Sequence, residues 1–264
     1  MERWRVAVLT AISPVAVGYT AILRSLGHEV AAVIVPRGAA GPQHLEIDPD
    51  DVDLVFAASR HSLALLFRAY EVDLVVCTGL PWLVPGEALA VPRRGVVNGH
   101  PSLLPRYRGP FPIAWAVRNG EAEIGMSYHL MDERFDTGNL LAQRAVPLAE
   151  DDDWEALMGK VSEAALELLP SALERLGRGD RGDPQEGGDY FSHFEDDYAQ
   201  VDPGSTAADV HRQVRAWGFI PPYARHGPLH GERRLLRTSL TEVEGAERLE
   251  CADGPLWILE SEAG

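Results

Sequence analysis

The spacing of apolar residues predicts alternating strands and helices over about the first 180 residues of the chain. The predicted strands are 6–9, 30–35, 52–57, 74–77, 96–97, 124–131 and 140–146. The predicted helices are 13–26, 61–70, 113–119 and 154–176, of which the last is the clearest. Strand, helix and strand within about 30 residues form a βαβ unit. We therefore expect an α/β fold, Rossmann-like, with a mostly parallel sheet and helices on both faces.

The pattern changes after the long helix, where Gly, Pro, Asp and aromatic residues replace the amphipathic repeat. We predict a first domain over residues 1–180, a linker over 181–204 and a small C-terminal domain over 205–264. Ser205 is the predicted N-cap of a helix, and short runs over 230–260 indicate a few strands. This part is expected to be an α+β or β-barrel-like appendage. Its apolar segment 256–259 could cover the core of the domain or a partner subunit, as in a homodimer.

Composition narrows the class of protein. The chain has 264 residues, 45% of them hydrophobic, and a formal net charge of −16. No apolar run approaches the ~18 residues of a transmembrane helix, and the N-terminus enters a strand without a signal-peptide pattern. Cys77 and Cys251 lie in different predicted regions, so we expect no disulfide and a cytoplasmic location. The negative charge argues against a nucleic-acid partner, because such binders usually present a basic surface.

Polar residues follow two of the predicted strands. Asn98 and His100 end the fifth strand two residues apart, so they share one face. The carboxyl ends of strands in an open α/β sheet form its usual ligand site. There Asn98 could donate to a developing oxyanion, His100 could move a proton, and Asp136 could orient the imidazole. Taken singly, each has a structural alternative: a turn residue, a buried histidine, and a turn or cap carboxylate.

A longer motif surrounds these residues. Asn98 and His100 are followed by Ser-Leu-Leu-Pro-Arg-Tyr-Arg-Gly at 102–109, and Asp-Thr-Gly stands at 136–138. Together they resemble the folate-dependent formyltransferase superfamily, which includes methionyl-tRNA formyltransferase, glycinamide ribonucleotide transformylase and the sugar N-formyltransferases. The Tyr-Arg-Gly ending is more similar to the methionyl-tRNA and sugar branches. A looser resemblance covers residues 5–180, and residues 198–240 are similar to the linker and appended domain of the tRNA enzyme.

The resemblance implies an enzyme that moves a formyl group from N10-formyltetrahydrofolate to an amine. Asn98 and His100 would stabilise the oxyanion, while Asp136 would orient His100 and help to remove the amine proton through water. No metal is expected, since the formyl group is already activated, and His100 with Asp136 lacks a clear third partner for zinc.

The resemblance also implies which loops bind the two substrates. The pterin of the donor would contact the loop before the Asn-x-His strand and the loop around Asp136. The residues so assigned are Leu80, Trp82, Leu83, Val84, Leu130, Asp132 and Phe135. The residues assigned to the acceptor are Ile12, Ser13, Ser102, Tyr107 and Arg108. For loop 80–85, an ordinary hydrophobic loop is the alternative.

Departures from the family pattern bear on the acceptor. The tRNA enzyme carries a basic insertion after its second strand, whereas residues 37–51 of this chain hold one arginine and four acids. The C-terminal part is also short, and residues 10–14 lack a glycine-rich phosphate loop. We therefore expect a small primary amine, either a nucleotide-linked amino sugar or an amine of natural product biosynthesis. A methionyl-tRNA formyltransferase and a formyltetrahydrofolate hydrolase are the alternatives. Any acceptor phosphates could meet Arg106, Arg108, Arg212 or Arg215. Solvated surface charges are the alternative, which we prefer for Arg212 and Arg215.

Overall fold

The computed structural model describes residues 2–10, 12–37, 51–202, 204–220 and 228–264, with only the backbone of Ser13. Most of the predicted acidic insertion at 37–51 lies outside the described residues. The strands are β1 Arg5–Leu9, β2 Glu29–Pro36, β3 Asp53–Ala57, β4 Leu74–Thr78, β5 Val96–His100, β6 Glu123–Leu130, β7 Leu140–Pro147, β8 Leu229–His230, β9 Arg233–Ser239, β10 Glu247–Cys251 and β11 Gly254–Ala263. The helices are α1 Ser13–Ser25, α2 Leu63–Ala69, α3 Gly86–Leu89, α4 Pro112–Arg118, α5 Trp154–Gly177 and α6 Ala207–Gly218.

The chain divides into two compact units, which are described separately. The first comprises residues 1–108, 125–146 and 159–189, and the second comprises residues 109–124, 147–158 and 190–264. The central sheet has the order β3-β2-β1-β4-β5-β6-β7. Its first five strands are parallel, and β6 runs antiparallel to β5. This architecture confirms the predicted mostly parallel α/β fold.

Helices cover both faces of the central sheet. On one face, Ala7, Ile34 and Val75 pack with Leu63 and Phe67 of α2. On the other, the Tyr128 hydroxyl donates to Tyr19 of α1 at 2.8 Å and lies 2.9 Å from the Ala165 carbonyl of α5. Strands buried on both faces read as continuous β-branched and apolar runs, which is why the sequence predicts them well.

The second unit has its own core. A four-stranded antiparallel sheet of order β10-β11-β9-β8 packs against α6. Val210 and Val214 of the helix meet Leu235, Leu256 and Ile258 of the sheet. The apolar segment 256–259 therefore contributes to the core of this unit, and the predicted homodimer stays a prediction. An α+β appendage was expected, and this sheet with its helix confirms it.

The start of helix α6 differs from the sequence-based expectation. The predicted N-cap of α6 was wrong: Thr206 caps the helix, because its hydroxyl accepts from the Asp209 N–H at 3.2 Å. Ser205 and Thr206 are both good caps, so their order alone could not decide between them.

None of the described helices has both the length and the apolar composition needed to cross a bilayer. The predicted boundaries at residues 180 and 205 stay a prediction.

Candidate active site

The site is built on strand β5, which extends through His100. Asn98 and His100 point to the same face and are 8% and 5% exposed. Opposite them on β6, the antiparallel register pairs Asn98 with His129 and His100 with Ser127. Alternation along both strands thus brings two polar pairs together on one face of the sheet.

The loop after β6 brings the carboxylate to this face. The Asp132 carboxylate accepts from the Thr137 hydroxyl at 2.7 Å and from the Arg134 N–H at 3.0 Å, which closes a tight turn. Asp136 has φ of 56°, in the left-handed region where Asp and Asn are tolerated better than most residues. Gly138 lies so close to the Leu130 carbonyl that a methyl group there would overlap the oxygen. The Asp-Thr-Gly sequence therefore fits a loop that needs these residue types.

Replacing Gly138 by alanine is expected to lower the free energy of unfolding by about 1–3 kcal/mol, because the new methyl would push against a backbone carbonyl. Gly159 is the matched control, since it lies in α5 with open space around its Cα. Gly159→Ala should be neutral or stabilise the helix by about 0.5–1 kcal/mol. Urea unfolding of the two variants checks the difference, and equal stabilities would refute the close-approach explanation.

The three predicted catalytic side chains converge. His100 Nδ1 lies 3.5 Å from Asp136 Oδ1, and the Asp136 side chain is 12% exposed. Asn98 Nδ2 lies 3.1 Å from His129 Nε2, which in turn is 3.7 Å from Asp136 Oδ1. Residues separated by about 40 positions in sequence therefore form one compact polar group.

The protonation of His100 follows from its surroundings. His100 Nε2 lies 2.9 Å from the Tyr107 carbonyl oxygen, and a carbonyl only accepts, so Nε2 carries a hydrogen. Burial lowers the pKa of His100 and outweighs the attraction of the Asp136 carboxylate, which raises it. The neutral imidazole therefore directs its basic nitrogen, Nδ1, towards Asp136. Any further proton taken up by His100 binds at that position.

The residues predicted to contact the pterin line the neighbouring loops. Leu80 and Trp82 are partly buried against the same apolar cluster that holds Val84, which is 1% exposed. Leu83 is half-buried, and Leu130 is 7% exposed. The four side chains of loop 80–85 give it an apolar character, which suits a flat ring, and Leu130 ends strand β6. Their contact with a pterin stays a prediction.

Asp132 and Phe135 belong to the second predicted pterin loop. Asp132 uses its carboxylate inside the loop, as described above. Phe135 is 45% exposed, which is unusual for a large apolar ring. An exposed ring beside the Asp136 carboxylate is compatible with stacking on a ligand, and that role also stays a prediction.

The residues predicted to bind the acceptor have varied surroundings. Ile12 is 43% exposed, and the structure does not describe the side chain of Ser13. Ser102 is 2% exposed, and its hydroxyl donates to the Arg106 carbonyl at 2.8 Å. Tyr107 is 8% exposed with φ of 57°. Arg108, the fifth, donates to Gln185 Oε1 at 2.8 Å. All five stay predicted acceptor contacts.

Sequence reasoning missed two residues of the site, His129 and Gln185. The sequence pattern could have indicated His129, because Ser127 and His129 alternate with apolar residues on a predicted strand. Gln185 had none, because it lies in the predicted linker, 49 positions from Asp136. Its Nε2 donates to the carbonyls of Asp136 at 2.9 Å and Gly138 at 2.8 Å, while its Oε1 accepts from Arg108 at 2.8 Å. One amide thus joins the Asp-Thr-Gly loop to the Asn-x-His motif.

Gln185→Ala is expected to loosen the Asp136 loop. It removes the bonds from the glutamine amide to two loop carbonyls, each worth about 1 kcal/mol. Amide hydrogen exchange over residues 132–138 should therefore become faster by about 30-fold. Glu186→Ala, at an exposed neighbouring position, should leave it unchanged. Equal exchange rates in Gln185→Ala and the unmodified protein would show that the loop is stable without the Gln185 contacts.

Within the described residues, no group of three or more His, Cys, Asp or Glu side chains could hold a metal ion. The cysteines are both free thiols, with Cys77 buried behind Asn98.

Two of the arginines considered for acceptor phosphates have protein partners. Arg212 pairs with Asp209, and Arg215 donates to the Ala149 carbonyl at 2.8 Å. Neither arginine belongs to the unit that contains Asn98 and His100.

Comparisons with known proteins identify the family of the chain. The sequence profile of the formyl transferase family matches residues 39–173. The GDP-perosamine N-formyltransferase of Brucella melitensis biotype 1 is 36% identical over 155 residues, which cover 58% of this chain and 60% of that protein. The match therefore spans less than two thirds of that relative. The methionyl-tRNA formyltransferase of Sinorhizobium medicae is 31% identical over 256 residues, 89% of this chain and 81% of that protein.

A solved structure shares the fold over nearly the whole length. The crystal structure of WlaRD, a sugar 3N-formyl transferase in the presence of dTDP and 5-N-formyl-THF, superposes with a TM-score of 0.75 at 18% identity. The superposition covers 99% of this chain and 98% of that one. With the family profile and the Sinorhizobium relative, these findings show that the chain belongs to the formyl transferase family.

Proposed function

We propose that this chain transfers the formyl group of N10-formyltetrahydrofolate to the primary amine of a small molecule, with a nucleotide-linked amino sugar as the favoured acceptor. The observation that carries the proposal is the convergence of Asn98, His100 and Asp136, with His100 Nδ1 3.5 Å from the Asp136 carboxylate. The 36% identity to a GDP-perosamine N-formyltransferase supports an amino sugar. The solved sugar 3N-formyl transferase, which was crystallised in the presence of 5-N-formyl-THF, supports a formylated folate as the donor.

The proposed reaction needs no group beyond the two substrates and these side chains. The neutral amine attacks the formyl carbon and forms the new C–N bond, while the carbonyl oxygen takes the negative charge. The Asn98 amide donates to that oxygen, and His100 donates to it once its Nδ1 has taken up a proton. Asp136 accepts the amine proton through water, and N10 is protonated as its bond to the carbon breaks. The products are the N-formyl amine and tetrahydrofolate.

The state of His100 suits this sequence of steps. Burial lowers its pKa, so the imidazole is neutral at the start, with Nδ1 towards Asp136. As negative charge grows on the substrate oxygen, a protonated Nδ1 becomes more favourable. A proton shared between His100 and Asp136 is then placed where the charge develops. The pair can therefore both receive the amine proton and stabilise the oxyanion.

Methionyl-tRNA is the second candidate acceptor, because the Sinorhizobium tRNA enzyme aligns over 81% of its own length. The net charge of −16 argues against it. A tRNA complex gains much of its affinity from basic side chains that replace phosphate counterions. We therefore rank the small amine first.

The acceptor can be identified by mass spectrometry. The protein is mixed with N10-formyltetrahydrofolate and, separately, with GDP- and dTDP-linked amino sugars, methionyl-tRNA, or no amine. We expect one amino-sugar nucleotide to gain a single formyl group. Formylation of methionyl-tRNA alone would favour the second candidate, and formate release without any amine would indicate a hydrolase. No turnover of the donor under any condition would refute the proposed function.

A further inference from the structure

The Asn98 amide is held at both ends by buried side chains. Its Oδ1 lies 3.5 Å from the Cys77 sulfur, and its Nδ2 lies 3.1 Å from His129 Nε2. Cys77 is 0% exposed and His129 is 1% exposed, so no water competes freely for either contact. An asparagine amide can present either its oxygen or its nitrogen to a neighbour, and its partners decide which.

Both partners impose the same orientation. His129 Nδ1 lies 3.3 Å from the Leu130 carbonyl, which can only accept, so Nδ1 carries a hydrogen. The other nitrogen, Nε2, then accepts from Asn98. Burial raises the pKa of the Cys77 thiol, so its S–H is retained and can donate to Asn98 Oδ1. Met131 Sδ, 3.6 Å from Cys77, is a weaker acceptor for the same hydrogen.

We propose that His129 is a positioning residue that acts through Asn98. By accepting one N–H of the amide, it fixes the direction of the second N–H, which is the donor for the formyl oxygen in the proposed reaction. This inference rests on the proposed function for its kinetic consequences. Without His129, the amide can rotate and present its oxygen, which would repel the developing oxyanion.

Asp136 adds a competing arrangement. Its Oδ1 lies 3.7 Å from His129 Nε2, so a hydrogen on that nitrogen would be attracted to the carboxylate. Asn98 would then have to turn its oxygen towards the ring. The structure favours the first arrangement because Asn98 is nearer, at 3.1 Å, and because Nδ1 already has a carbonyl partner. The position of one hydrogen on His129 therefore distinguishes the two.

Kinetics test whether His129 acts through Asn98. We expect His129→Leu to lower kcat by about 10- to 100-fold, with the KM of the donor little changed, as for a misdirected oxyanion donor. His129→Gln should recover most of the loss, since its Oε1 can accept the same N–H. In an Asn98→Ala background, His129→Leu should cost nothing more. Additive losses, or no recovery by glutamine, would overturn the proposal.

A second measurement does not depend on activity. In protein labelled with ¹⁵N, we expect His129 to show a protonated Nδ1 and an unprotonated Nε2 at neutral pH. The Asn98 side-chain amide, assigned by its loss in Asn98→Ala, should shift in His129→Leu and much less in His129→Gln. A hydrogen on Nε2 would overturn the inference even in an active enzyme. An inactive protein with the expected spectrum would instead refute only the proposed function.

Discussion

Asp136→Asn is expected to lower the turnover of formyl transfer by about 10²- to 10⁴-fold, the usual range for loss of a general base. Asparagine has nearly the same shape and also tolerates the left-handed backbone at this position, where φ is 56°. The Gln185 bond to the residue 136 carbonyl is a backbone contact and is retained. The substitution therefore removes the charge while sparing the loop.

The matched control for this substitution is Glu163→Gln, which removes a carboxylate from an exposed position on α5. It should keep kcat and KM close to those of the unmodified enzyme. Steady-state kinetics on the acceptor found by mass spectrometry gives both values. If Asp136→Asn kept its turnover within about threefold of the unmodified enzyme, Asp136 would have no role as a base.

His100→Gln is the second change with a large expected effect, a fall in turnover of at least about 100-fold. Glutamine can still donate to the Tyr107 carbonyl that His100 Nε2 contacts at 2.9 Å. It cannot take up a proton on the side that faces Asp136. The variant thus keeps the structural bond and removes the titratable group.

His61→Gln, at an exposed position, is the control, and circular dichroism shows whether both variants fold. Retained turnover in His100→Gln would mean that the imidazole serves only to hold the Tyr107 carbonyl. That outcome would return His100 to the structural alternative that its sequence alone leaves open.

The dependence of kcat/KM on pH adds a check with a defined sign. Burial lowers the pKa of His100, so protonation of the free enzyme at this ring occurs below the ordinary value of about 6.5. After correction for the neutral fraction of the acceptor amine, kcat/KM should therefore stay level as the pH falls to about 6.5 and decline only below it. A decline centred above pH 6.5 and absent from His100→Gln would show that the Asp136 charge, which raises this pKa, outweighs burial.

The fold could be predicted because the central strands of its main sheet are short, apolar and buried on both faces. Strand β4 was expected at 74–77 and is Leu74–Thr78, and β1 was expected at 6–9 and is Arg5–Leu9. The apolar composition and short length of such strands are enough to predict them from the sequence. The observed strand ends differ from the predicted ones by about one residue. Backbone hydrogen bonding defines where a strand ends, and the apolar pattern carries no information about it.

The candidate site could be predicted only in part. Asn98, His100 and Asp136 stand in motifs that carry the family resemblance, and the structure brings them together. Gln185 could not be found, because a glutamine in a Gly- and Asp-rich segment has many partners and only the fold selects one. His129 needed the register between β5 and β6, which pairs it with Asn98. Apolar patterning predicts helices and strands, whereas the contacts of Gln185 and His129 depend on how these elements pack together.

The most direct measurement follows the formyl carbon itself. N10-formyltetrahydrofolate labelled with ¹³C in the formyl group is mixed with the identified amino-sugar nucleotide and either the unmodified enzyme or Asp136→Asn. We predict that the label appears as the formamide of the sugar, in equal amount to the tetrahydrofolate released, and at least about 100-fold more slowly in the variant. Label recovered as formate, or a formamide made equally fast by both proteins, would contradict the assignment of this site to formyl transfer.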